Sequence, residues 1–167
     1  MTNTDKQAAE LNRKKTSLKN MYFNRFLGIR YLTALFFFFN MYWMIMMYVG
    51  GSVLALIPLA IVFVFIPVAV EQVKLYSHHK NLVPWTEKYY WIQIVTNITL
   101  LLTLFTPLYQ TLFPFMSNSI DGKSLLLGIL LLGTLLGLWA ESRLRKIKND
   151  KDRHYNRLQQ YKKSLYL

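Results

Sequence analysis

The sequence contains no cysteine. Disulfides, thiolate nucleophiles and thiolate metal sites are therefore excluded. Acidic residues are scarce, eight against twenty lysines and arginines, which leaves a formal net charge of +12. The scarcity of charge is patterned: no acidic or basic residue occurs over residues 31–70, 89–120 or 124–140. A glycine-rich phosphate loop, a His-Glu-x-x-His pair and a nucleophile elbow are all missing. His78 and His79 are adjacent, so on a helix they point about 100° apart and cannot share a metal as an i, i+4 pair does. The expectation is a non-enzymatic chain with no catalytic residue, no cofactor and no metal.

What is present is hydrophobic sequence in blocks. Apolar residues make up 53% of the chain and are segregated from the charges, which is a membrane pattern and not that of a soluble basic protein. A helix needs about 20 apolar residues to cross a hydrocarbon core of roughly 30 Å. The first charge-free block is twice that length, and Gly50-Gly51-Ser52 divides it. Spans are expected over residues 31–49, 52–73, 89–110 and 124–140, with Asp121-Gly122-Lys123-Ser124 supplying turn and capping residues before the last. The long basic start lacks a small-x-small cleavage site, so the first apolar block reads as a retained span and not a signal peptide.

Positive charge sets the expected orientation. Residues 1–30 carry seven lysines and arginines, the connection between spans two and three carries Lys74, Lys80 and Lys88, and the tail from Arg143 to Lys163 carries nine. Only Lys123 falls on the other side. By the positive-inside rule both termini are cytoplasmic, in a plasma-membrane protein. Tyr89, Tyr90, Trp91 and Trp139 fall at the inner boundary, where amphipathic rings favour headgroups. The expected fold is all-α: an antiparallel four-helix membrane bundle over residues 31–140, between a basic arm (1–30) and a basic tail helix (141–167). In that tail Leu144, Ile147, Leu158, Tyr161 and Leu165 keep a three-four spacing, which offers an apolar face to anionic lipid or to a partner.

Three features within the spans invite a functional reading. Thr96, Thr99, Thr103, Thr106 and Gln110 recur at helical spacing in span three; Gln93 extends that face and Asn97 lies beside it. Such a stripe either lines a polar path or bonds back to its own helix while Gln93 and Asn97 join neighbouring helices. Gly133 and Gly137, continued by Ala140, form a small-xxx-small face suited to close helix packing. Asn40 is a polar residue in the middle of span one, and Glu71 and Glu141 sit at the inner ends of spans two and four. An acid near hydrocarbon is a candidate for proton coupling, or is hydrated and paired with a nearby base.

These features lead to an expected accessory, regulatory or assembly subunit of a larger membrane complex. Its partners would be other membrane subunits or copies of itself, together with anionic headgroups, and not nucleic acid. An oligomeric transporter or channel with a path lined by the span-three stripe is the alternative. An immunity or protection protein is a third.

Overall fold

The computed structural model describes residues 3–77 and 82–166. It is helical throughout, with no strand among the described residues. In chain order the helices are α1 (Asn3–Arg25), α2 (Leu27–Val49), α3 (Leu56–Ser77), α4 (Pro84–Thr103), α5 (Leu108–Leu112), α6 (Ile120–Lys148) and α7 (Arg153–Tyr166). A 3-10 turn, Val53–Ala55, leads into α3. Three segments are long and apolar enough to cross a membrane: α2, the stretch from the 3-10 turn through α3, and α6. The second charge-free block supplies most of α4, which is twenty residues long but carries Glu87, Lys88, Gln93, Asn97 and several threonines.

Local chemistry accounts for the boundaries. Gly51 turns the chain between α2 and α3 at φ +69, a left-handed conformation in which glycine has no Cβ to clash. The expected helix over residues 89–110 is divided: α4 stops at Thr103 and α5 begins at Leu108. Pro107 is the cause, because its ring collides with the carbonyl four residues earlier, that of Thr103, and it has no N–H to donate. Ser119 starts α6 by accepting a bond from Gly122 N at 3.2 Å, placing the start four residues ahead of Ser124. At its other end α6 continues past the apolar block to Lys148. A tight turn with Asp150 at φ 53 then separates α6 from α7.

Side-chain contacts give the helix directions. Thr33 of α2 meets Gln72 of α3, near the end of α3 farthest from their connection, so these two run antiparallel. Thr33 and Asn40 meet Tyr90 and Gln93 in the same order along α4, so α2 and α4 run parallel. The α4–α6 pair is antiparallel, since Ile94 lies against Gly137, Asn97 against Gly133, and Glu87 against Lys148. On α2 the inward residues are Phe36, Asn40, Trp43 and Met47, a 4-3-4 helical spacing, while Phe38, Phe39 and Tyr42 point outward. Two apolar cores result. One includes Phe26, Ile29, Tyr89, Tyr90 and Leu144; the other includes Trp43, Met47, Tyr109 and Phe113. Tyr89 and Tyr90, expected at a headgroup boundary, are instead fully buried; Trp91 and Trp139 remain exposed.

Candidate functional site

Polar groups occupy two places that apolar packing alone does not explain: a layer inside the helices and a basic pole outside them.

The interior layer has two connected groups. In the first, Thr33 Oγ1 lies 2.7 Å from Ile29 O and 2.9 Å from Tyr90 Oη, and accepts from Gln72 Nε2 at 3.1 Å; Tyr90 Oη is also 3.0 Å from Ile29 O. Two hydroxyl protons cannot serve all three oxygen–oxygen contacts. One assignment satisfies every side chain: Thr33 donates to Ile29 O and accepts from both Tyr90 and Gln72. In the second group Asn40 donates to Phe36 O and, at 2.8 Å, to Gln93 Oε1, while Gln93 donates to Asn97 Oδ1 at 3.1 Å. These bonds join α2 to α3 and α4 in a largely buried layer, so they fix helix register. The Tyr89 hydroxyl is buried beside Asn40.

The span-three polar residues do not act as one face. Gln93 and Asn97 are buried, whereas Thr99, Thr106 and Gln110 are exposed, and Thr96 and Thr103 lie between. Thr99 donates to Val95 O, Thr103 to Leu100 O and Thr106 to Thr103 O, each within its own local backbone. The break at Pro107 also takes Gln110 off the helix that carries the threonines.

Gly133 and Gly137 pack within the chain, against α4. A Cβ on Gly133 would lie 2.7 Å from Asn97 Nδ2, and one on Gly137 would lie 2.8 Å from Ile94 Cγ1. Ala140, at 0% exposure, continues the contact. Glycine therefore sets the α4–α6 spacing and brings Asn97 close to the α6 backbone.

At the pole carrying α1 and α7, Arg25 is 1% exposed. It donates through Nε and Nη2 to Asp152, through Nη2 to Asp150 at 2.9 Å, and to Ile147 O at 3.3 Å. Its guanidinium also lies 5.0 Å from the centre of the Tyr155 ring. Burial alone would lower the Arg25 pKa; the two carboxylates more than offset this and hold it above the ordinary value. Asp152 has a second role, capping α7 by accepting from Tyr155 N. Lys162 over the Tyr22 ring, at 5.5 Å, extends the antiparallel α1–α7 pairing.

Three further acids, Glu71, Glu87 and Glu141, are used in the same way. Glu71, on α3, accepts from Trp85 N, Thr86 N and Thr86 Oγ1 and so caps the start of α4. Glu87 takes Lys148, and Glu141 takes Arg145 through one oxygen while the other is buried without a partner. Glu71, Glu87, Glu141, Asp150 and Asp152 are thus all turned to internal bonds. Meanwhile the outward side of α7 presents Arg153, Asn156, Arg157, Gln160 and Lys163, all exposed and none acidic. Lys146 and Lys151 beside it are exposed too.

The tail stripe lies differently from its expected place. Leu144, Ile147 and Leu158 are buried at 1%, 1% and 0% exposure inside the chain's own fold, so they offer no apolar face to lipid or a partner. Tyr161 is half-buried, and the side chain of Leu165 lies outside the described residues, as do His78 and His79. The residues missed from sequence are Arg25, Asp150 and Asp152. Their only sequence signal is an Asn-Asp-Lys-Asp turn with an N-cap aspartate, which does not name its distant partner.

No family model, curated protein or solved structure matches this chain. The class that the fold defines is a membrane-associated all-helical protein.

Proposed function

We propose that this chain is a non-enzymatic accessory or assembly subunit of a larger plasma-membrane complex, with four spans and both termini in the cytoplasm. In this arrangement α4 joins the three long apolar segments as the third span in chain order. Its inward amides bond to α2 and along α4 itself, and its outward threonines bond to its own backbone, which lowers the cost of placing it in lipid. The basic pole then faces the cytoplasm, in keeping with the charge asymmetry of the sequence.

One observation carries the proposal: Asp150, Asp152 and Glu87 are paired internally while the outward side of α7 presents cations and no acid. A preformed cationic surface favours an acidic partner surface and speeds its encounter. Anionic headgroups compete for the same charges, each contributing on the order of 1 kcal/mol near the surface. A path through the chain has less support, because the threonine hydroxyls are already bonded and the stripe is split between buried and exposed sides.

Purification in mild detergent followed by mass spectrometry tests the proposal. A membrane protein should co-purify and be released by salt, and the triple change Arg153→Glu, Arg157→Glu, Lys163→Glu should abolish its recovery without altering helix content. A clean monomer with no companion would overturn the reading.

A further inference from the structure

At the pole opposite Arg25, a hollow of about 390 Å³ opens between the end of α4 and the start of α6. Its lining is mostly apolar, from Leu104, Phe105, Ile120 and Leu127, and Asn118, Ser119, Lys123 and Ser124 add an amide, hydroxyls and a cation. Lys123 is the one basic residue from Tyr89 to Ala140, and it lies between charge-free blocks two and three. Its ammonium is held 5.2 Å from the centre of the Tyr109 ring. Tyr109 is in turn fixed by donating to Ser117 O at 3.0 Å, and Ser117 contacts Ser119 at 2.8 Å. The hollow is therefore lined by elements braced against one another. Gly122 adds to the bracing, since a Cβ there would lie 2.6 Å from Ser117 O. The end of α6 does not itself make the site, because Ser119 already accepts from Gly122 N. Asp121 stands two positions from Lys123, and residues so spaced do not share a helix face.

We infer that this hollow binds one glycerophospholipid. The phosphate would be held by Lys123 with Asn118 and Ser119, and an acyl chain would lie along Leu104, Phe105 and Leu127. A free phosphate would use only the few polar groups, whereas a lipid also covers the apolar lining and is supplied by the surrounding bilayer. The inference rests on the four-span arrangement for placing the hollow at the outer boundary of the bilayer. It does not depend on any protein partner.

The test is native mass spectrometry of the full chain in mild detergent, titrated with phosphatidylglycerol and, separately, with inorganic phosphate. One lipid per chain should be retained. Lys123→Gln should weaken retention about tenfold, the loss expected of one charge-assisted hydrogen bond. Lys123→Arg should retain the lipid, and the loss on Lys123→Gln should be the same in the Arg153→Glu, Arg157→Glu, Lys163→Glu background, where the basic pole no longer attracts anionic headgroups. Loss of the retained lipid on the three α7 changes alone, no weakening by Lys123→Gln, or displacement of the lipid by millimolar phosphate would each overturn the inference. Because the protein is tested without companions, failure here is separate from failure to recover a partner subunit.

Discussion

Arg25 joins the end of α1 to the α6–α7 turn through Asp150, Asp152 and Ile147 O while almost wholly shielded from water. Removing one partner of a buried pair leaves the other charge uncompensated, at a cost of about 3–5 kcal/mol. Arg25→Gln should therefore release α7 from α1, seen as tryptic cleavage within residues 149–167 under conditions that spare the native chain. Asp150→Gly should be far milder: it loses one carboxylate bond but relieves the positive φ. Comparable damage from the two changes would show that the clamp is not centred on Arg25. Because the Arg25 pKa is raised, its contribution is fully present through the neutral range and is lost only as pH climbs beyond the folded-state value. Mild alkali should thus leave the tail attached.

Among the elements, the α4–α6 contact depends on the absence of side chains at Gly133 and Gly137. Gly137→Leu should drive Ile94 out of place and lower stability by about 1–3 kcal/mol, measured as a lower thermal transition in detergent. Gly128 is the control on the same helix: a Cβ there meets nothing within 4 Å, so Gly128→Leu should leave the transition unchanged. α7 presents a second contrast between its two sides. Leu158 is fully buried, and Leu158→Asp should unseat the helix, whereas Arg157→Glu on the outer side should leave it seated. Protease sensitivity of the tail separates the two outcomes.

For the whole molecule, the proposed orientation makes a direct prediction. A cytoplasm-only reporter should be active at residue 167 and silent at Ser119, and an export-only reporter should give the reverse. Export activity at residue 167 would invert the basic pole and remove the partner surface from the cytoplasm. Flux measured in liposomes holding only this protein should be absent, and a flux lost on Thr103→Leu would restore the path reading.

Much of this architecture follows from local sequence. Charge-free blocks locate the long helices, since apolar length alone decides whether a helix can cross hydrocarbon. Gly51 marks the first turn, and the small residues of α6 mark a close-packing face. Pro107 contains the break after Thr103, although a count of apolar residues passes over it. The inward Asn40 and Gln93 are visible as polar residues that need partners in an apolar setting. Which partner each one takes depends on chain segments that meet only after folding: Asn40 with Gln93, Thr33 with Tyr90 and Gln72. Arg25 and the acids beyond Ile147 show the same limit, being 125 and 127 positions apart in the chain. A helical stripe such as Leu144, Ile147 and Leu158 tells that a face will be covered. Periodicity carries no information about whether lipid, another protein or the chain's own helices provide the cover; here Leu144 and Ile147 join the core with Phe26, Ile29, Tyr89 and Tyr90, and Leu158 is buried in α7, which pairs with α1.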